Sequence, residues 1–581
     1  MADSLTSTDK NFTQLAALAL LQALRRHGVE YFFCNPGTDF PAIIEAFSLA
    51  DADPALKESV PKPIVVPHEN AAVAMAHGAY LVTGRPQAVM VHVNVGTANT
   101  VNGAANASRD QAPILLLAGR TPITETGLQG SRNRNIHWAQ DMFDQAGMLR
   151  EFVKWDHELK LASETQSAVT RAMEMMLSSP RGPAYLSLPR EVLGGQVRVS
   201  ATLARTRAVA AAPWPDPGAI DTLADWIASA KQPLVITSAS GRTSAGFNAL
   251  SSLAQLFAIP VVAVGGRYVC LSTEHEMHMG FQPKALLEKA DLVIVLECDV
   301  PWLPSLEGPP ADCRVAHIAE DPAFVRYPTR GFAVDLSIKA DCSVALSALE
   351  QALIGRLVIN NEDMPGITAR RASLATQRAK LRTSWQIQGD AAAADSRIKP
   401  EWISHCLDHA VGKDAIIVNE YPLRLEHCKR EKPGTFFGLS PAGGLGWGLG
   451  AALGIKLSAP DALVVATLGD GAYMFDNPTA CHWVSCVQKL PILILIYNNQ
   501  MYGAVRNSTA AMYPDGASAS SGFTLLADLG PSPAFEKIVE ASGGYGECVN
   551  DPSQLPAALQ RALHAVTQQK RQALLNIVCQ Y

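Results

Sequence analysis

The sequence predicts an α/β protein built from three doubly wound parallel-sheet domains, and three observations predict it. At 581 residues the chain has room for about three to five domains. Apolar strand-like runs closed by glycine or proline alternate with Ala/Leu-rich helical stretches along it, the pattern of parallel sheets covered by helices. Composition shifts twice, at Ala201–Gly218 (rich in Ala, Pro and Arg) and at Asn360–Asp395 (polar, then Ala-rich). Boundaries inside those stretches give domains over 1–195, 215–355 and 395–581, each near the usual domain size. No short-period repeat is visible, which excludes a solenoid.

The strands read in order as Tyr31–Cys34, Ala88–Val93 and Ile114–Ala118 in the first domain. Pro233–Thr237 and Asp291–Leu296 follow in the second, and Ile416–Val418, Leu463–Leu468 and Ile492–Tyr497 in the third. After Pro556, Ala557–Lys570 reads as an amphipathic helix and Ala573–Val578 as a last strand. Ser508–Ser521, rich in Ala, Ser and Met, reads as a loop, either an ordinary surface loop or a lid over a site.

Charge excludes several partners. Lys plus Arg total 48 and Asp plus Glu 54, a net charge of -6, too mild to imply a nucleic acid or a membrane. Eleven scattered cysteines form neither a disulfide scaffold nor paired zinc ligands, so reduced thiols and a cytoplasmic setting are expected. The first residues lack the basic and apolar stretches of a secretion signal.

The chemistry concentrates at two strand ends in the third domain. Leu463–Leu468 runs into Gly469-Asp470-Gly471, and a buried strand entering a glycine turn is where α/β sheets bind ligands. The glycines admit tight backbone and let main-chain N–H groups approach an anion, which leaves the Asp470 carboxylate for a cation. Ile492–Tyr497 ends in Asn498-Asn499-Gln500, so two neighbouring strand ends can present Asp and Asn oxygens to one point. Hard oxygens beside a diphosphate suit Mg²⁺. Upstream lies Gly443-Gly444-Leu445-Gly446, which by itself also fits close helix packing.

GDG, a helix, an apolar strand and NN together resemble the cofactor signature of thiamine diphosphate (ThDP) enzymes of the pyruvate oxidase, decarboxylase and acetolactate synthase group. The resemblance implies that Asp470, Asn499 and the Met501 carbonyl bind Mg²⁺, with Asn498 the alternative to Asn499. It places Gly469, Gly471, Ala472 and Tyr502 on the cofactor. Gly443 and Gly444 would touch the aminopyrimidine, and Leu445 would prop the cofactor in a bent shape. Where the family carries diphosphate-binding hydroxyls this chain has Asn419-Glu420-Tyr421-Pro422-Leu423-Arg424, which shifts that task to main-chain N–H groups near Gly471 and Ala472.

Glu69 begins the Ala-rich helix of HENAAVAMAHGAYLVTGRP. A first-turn Glu can simply complement the helix dipole, but the segment is similar to the family element that carries the catalytic glutamate. In the benzoylformate decarboxylases of the group, the stretches matching Asn35-Pro36-Gly37-Thr38, His92 and His275 supply a hydroxyl on the substrate carboxylate and two proton-transfer histidines. His278, by the same spacing, does not match. Gln140 lies where several relatives carry a glutamine near the cofactor.

These resemblances imply a ThDP- and Mg²⁺-dependent decarboxylase that converts a 2-oxo acid to an aldehyde, with FAD not expected. Alternatives are an acetolactate synthase-like carboligase, a C–C lyase acting on a diketone or acyl-CoA, and a non-catalytic ThDP-binding subunit. Family architecture implies a homodimer or homotetramer with active sites at the subunit interface.

Overall fold

The computed structural model describes residues 12–199, 208–360, 366–521 and 525–580. Two compact units result, the first formed by residues up to 210 with 440–459 and 475–488, the second by the remainder.

The first unit is organised on a six-stranded parallel sheet in the order Lys62–Val65, Tyr31–Cys34, Gln87–Val91, Ile114–Arg120, Ala184–Pro189, Asp156–Glu158. The inner strands are buried except at Arg120, the last residue of Ile114–Arg120, which explains why they read as unbroken apolar runs instead of alternating ones. A short antiparallel pair, Phe12–Leu15 with Gln196–Val199, closes the ends of this segment. Because three adjacent strands run parallel, Cys34, Val65 and Val91 all end at one edge. The residues that follow them, Asn35, Glu69 and His92, start from that edge.

Helix Glu69–Thr83 begins at an N-cap His68, whose imidazole Nδ1 accepts from the Asn70 N–H at 3.2 Å, and stops at left-handed Gly84. It packs on helix Gly448–Ser458 almost backbone to backbone. A Cβ added at Gly78 would lie 2.0 Å from the Ala451 carbonyl oxygen, and one at Gly454 would lie 1.9 Å from that of Met75. Small residues therefore set this helix pair close together, and the pair brings Glu69 beside the turn Gly443–Gly446.

The second unit holds two parallel sheets. Five strands follow the order Val261–Ala263, Pro233–Thr237, Leu292–Leu296, Arg314–Ala319, Leu336–Lys339. Six follow Phe436–Gly438, Ile416–Glu420, Val464–Gly469, Leu493–Asn498, Ala573–Val578, Tyr545–Val549. The predicted α/β class is thus present as three parallel sheets covered by helices.

Two stretches differ from their sequence reading. The polar, Ala-rich stretch before Asp395 contains a 28-residue helix, Ile367–Ala394. Its Ala, Arg, Gln and Leu favour helix, and only Leu374, Trp385 and Ala392 are buried along it, so it reads as polar while remaining ordered. Ser508–Ser521, expected as a loop, lies mostly in helices Gly503–Met512 and Ala517–Ser521, where its four alanines favour helix. Of the first compositional boundary, residues 201–207 lie outside the described residues. The eleven cysteines are all unpaired, and no described helix is long and apolar enough to cross a membrane.

Candidate active site

In the second unit, Val464–Gly469 and Leu493–Asn498 are hydrogen-bonded neighbours, with Gly469 opposite Tyr497. Asp470 and Asn499 therefore leave the sheet side by side, as the two strand ends predict. Asp470 is 2% exposed. Its Oδ1 accepts from the Gly471 N–H at 2.9 Å, whereas Oδ2 is buried without a hydrogen-bond partner among the described residues. Burial pushes the carboxyl up to about 6, an effect that the main-chain N–H groups of Gly471, Gln500 and Met501 partly offset.

The two asparagines separate cleanly. Asn498 is buried, donates through Nδ2 to Asn576 at 2.9 Å and accepts at Oδ1 from Ser532 at 3.1 Å. Both ends of its side chain are thus committed, one to the neighbouring strand and one to the loop that carries Ser532. Asn499 is only half-buried, and its Oδ1 accepts a single 3.2 Å bond from the Met501 N–H. Left-handed Gln500 (φ 57°) turns the chain sharply there. Tyr502 donates its N–H to Ala527 at 2.7 Å and lays its ring on Gly471, where a Cβ would stand 2.6 Å from Cε1. A buried carboxylate oxygen without a partner and an amide oxygen leaving the neighbouring strand end are donors of the kind that suit a hard divalent cation such as Mg²⁺, and the Met501 carbonyl accepts from the Gly503 N–H at 3.0 Å.

The neighbouring turn after Ile416–Glu420 is satisfied internally. Asn419 Oδ1 accepts from the Leu423 N–H and the Thr467 hydroxyl, each at 3.0 Å. Between Asn419 and Arg424 it has no Ser or Thr hydroxyl to offer a diphosphate.

The first unit assembles the other group. Glu69 is buried, and its two carboxylate oxygens each accept a 3.0 Å hydrogen bond, Oε1 from Asn35 and Oε2 from Asn99. Next to it, Asn70 donates to the Gly446 carbonyl at 2.9 Å, Asn102 to that of Leu445 at 2.8 Å, and Asn106 to that of Gly444 at 2.8 Å. Three amides thus fix the carbonyls of the glycine turn. A Cβ on Gly444 would come within 2.3 Å of Asn102 Oδ1, so glycine is required by this close approach. Behind the turn, Trp447 donates its indole N–H to His77 Nδ1 at 3.2 Å, and His77 Nε2 donates to the buried Asp110 at 2.9 Å.

His92, Thr38 and Gln140 line one small recess with His137, Arg120 and Arg190. His92 Nδ1 donates to Asp39 Oδ1 at 2.5 Å. That bond raises its pKa, with burial opposing and the Asp39 and Glu69 charges assisting. Thr38 is exposed at the mouth. Burial and then the charges of Arg190, Arg134 and Arg132 lower His137.

His275 sits in the second unit and contacts none of Asp470, Asn499 or Met501. Its Nδ1 accepts from the Met277 N–H at 3.0 Å, and burial lowers its pKa. His278 is buried, with its pKa pushed down to about 3 by burial, and packs edge-on against Phe281; it is a core residue.

Sequence reasoning missed Asp39, Asn99, Asn102, Asn106, Arg120 and Arg190, and it singled out Asn35 only with the Thr38 segment, without its bond to Glu69. Only Asp39 carried a signal, adjoining Thr38 in a segment already singled out. The asparagines act across 30 to 343 positions and resemble ordinary polar residues of loops and helices.

This arrangement defines a three-domain thiamine diphosphate enzyme, and comparison with known proteins agrees. The chain matches the models of the thiamine pyrophosphate enzyme N-terminal, central and C-terminal domains over residues 15–148, 220–349 and 421–577. It belongs to that family of ThDP-dependent enzymes. Among its relatives is a benzoylformate decarboxylase of Pseudomonas aeruginosa, 26% identical over 84% of this chain and 86% of the relative. Another is an acetolactate synthase large subunit of Mycobacterium tuberculosis, 23% identical over 96% of this chain and 95% of the relative. In fold it is similar to a 4-hydroxybenzoylformate decarboxylase of Rhodococcus jostii RHA1, with a TM-score of 0.77 and 21% identity over 98% of this chain and 99% of that one.

Proposed function

We propose that the protein is a ThDP- and Mg²⁺-dependent decarboxylase that converts a 2-oxo acid of the benzoylformate type to an aldehyde and carbon dioxide. The observation that carries this reading is the recess in which His92, held by Asp39, stands with Thr38 between Arg120 and Arg190. Arg120 is ion-paired with Asp141 and Glu158, whereas Arg190 donates to carbonyl and amide oxygens. Arg190 with the Thr38 hydroxyl therefore suits a carboxylate substrate, and a histidine there can return a proton to the product.

Asp470, Asn499 and the Met501 carbonyl hold the metal. Asn498 is spoken for by Asn576 and Ser532, which supports the choice of Asn499. Gly469, Gly471, Ala472 and Tyr502 border the diphosphate, and Gly443, Gly444 and Leu445 border the aminopyrimidine. Bound ThDP supplies a nucleophilic carbon and an electron sink for loss of carbon dioxide. Glu69 holds a proton at the aminopyrimidine nitrogen, oriented by Asn35 and Asn99. Thr38 binds the substrate carboxylate, His92 protonates the product carbon, and His275 assists aldehyde release. The working unit is a homodimer or homotetramer, as the family resemblance implies.

Carboligation of the acetolactate type is the second reading, favoured by acetolactate synthase relatives that align over nearly the whole chain. Product analysis by NMR separates the two, using purified protein with ThDP, Mg²⁺ and a panel of 2-oxo acids including pyruvate and benzoylformate. Aldehyde from an aromatic or branched acid supports the decarboxylase. Hydroxy-ketone or acetolactate as sole product overturns it.

A further inference from the structure

Three features around His92 belong to one device. Asp39 is 3% exposed and uses both carboxylate oxygens: Oδ1 accepts from His92 Nδ1 at 2.5 Å, and Oδ2 accepts from the Val93 N–H at 3.2 Å. Val93 has φ 33°, a left-handed conformation that a β-branched residue adopts only when its surroundings impose it. Two glycines make room for the pair from opposite sides. A Cβ on Gly37 would lie 2.2 Å from His92 Nδ1, and one on Gly119 would lie 1.7 Å from Asp39 Oδ2. His92 Nε2 has no hydrogen-bond partner among the described residues, and the side chain is 21% exposed on the recess.

We propose that Asp39 is a positioning residue of the reaction, gripping His92 through Nδ1 and the strained Val93 amide together so that Nε2 faces substrate as the proton donor. This rests on the role given to His92 above. The carboxylate does what an amide cannot. Two N–H groups, His92 Nδ1–H and Val93 N–H, both require an acceptor, and Asn has only one oxygen. In Asp39→Asn, the amide NH₂ therefore faces one of them. If Val93 keeps the oxygen, His92 must accept at Nδ1 and can no longer be doubly protonated there.

The groups facing His92 from the packed elements are Asp39 on its own loop, Glu69 at the start of its helix, Arg120 at the end of its strand, and His137 and Arg190 across the recess. Asp39 and then Glu69 favour the imidazolium, while burial opposes it. Removing the Asp39 charge therefore shifts His92 toward the neutral form.

The test reads His92 directly in cofactor-free protein. Carbethoxylation by diethyl pyrocarbonate attacks only neutral imidazole, and its rate at His92 is followed against pH by peptide mass spectrometry, with His92→Gln as the blank. In Asp39→Asn the apparent pKa is expected to fall so that the rate at pH 6 rises about tenfold. With the loaded enzyme, the alkaline limb of kcat, which includes proton return after carbon dioxide has left, should move to lower pH. Asp39→Glu, which keeps the charge, should restore part of the wild-type profile. An unchanged His92 titration in Asp39→Asn would overturn the proposal, as would a shifted titration with an unmoved kcat limb. A shifted titration in a protein that turns over no 2-oxo acid supports the pairing and counts against the reaction assigned above.

Discussion

Replacing Asp470 by Asn removes a charge that the fold buries beside one unpartnered oxygen, and the consequence for stability can be worked out. Burial lifts this carboxyl from 3.8 to about 6. Each tenfold change in acidity is worth about 1.4 kcal/mol, so the ionised carboxylate costs the metal-free fold at most about 3 kcal/mol. Its sign follows from linkage. Below the unfolded value of 3.8 the group is protonated in both states and exerts no effect. As pH rises the unfolded chain ionises first, so the folded state loses stability, and the loss is complete above about 6. Metal-free wild type should therefore lose stability relative to Asp470→Asn between pH 4 and pH 7, by at most about 3 kcal/mol. Any polar cost of the asparagine itself is independent of pH and drops out of that difference. Denaturant midpoints of the two metal-free proteins across this range are the assay. Adding Mg²⁺ with ThDP should then stabilise wild type far more than the variant. A stability difference that does not change with pH, or one that changes in the opposite direction, would refute the reasoning.

The remaining predictions concern the other groups. Glu69→Gln should reduce turnover by about 10²-fold to 10⁴-fold with thermal stability little changed, as steady-state rates and melting curves would show. Asn499→Ala should weaken Mg²⁺ binding measured by calorimetry in the presence of ThDP. Asn498→Ala should instead lower stability by about 1 to 3 kcal/mol, because it strands the polar groups of Asn576 and Ser532. Gly454→Ala places a Cβ 1.9 Å from the Met75 carbonyl oxygen and should cost about 1 to 3 kcal/mol, read by chemical denaturation.

How much of this was legible in the sequence depended on how local the signal was. The placement of Asp470 beside the asparagine pair was legible because strand and glycine turn follow one another along the chain, and parallel pairing then sets the two strand ends together. Glu69 was legible as the start of an Ala-rich helix, but not its grip by Asn35 and Asn99, which comes from the C-terminal edge of a sheet whose strands are distant in sequence. Asp39 was passed over beside Thr38 because an exposed loop gives no sign that its carboxylate turns inward past Gly119. The internal bonding of Asn498 was not legible, because its side-chain partners lie 34 and 78 positions away. Helices at Ile367–Ala394 and Gly503–Met512 were hidden by polar composition, since solvent-covered helices lack the apolar stripe that marks buried ones.

The most direct test of the central claim is the ratio of aldehyde to carbon dioxide formed from a turned-over 2-oxo acid by protein loaded with ThDP and Mg²⁺. Proton return from His92 requires one aldehyde for every carbon dioxide, with no product in which two substrate carbons have been joined. Carbon dioxide released without aldehyde, matched by a hydroxy-ketone or an acetolactate-like acid, would contradict it and make the protein a carboligase.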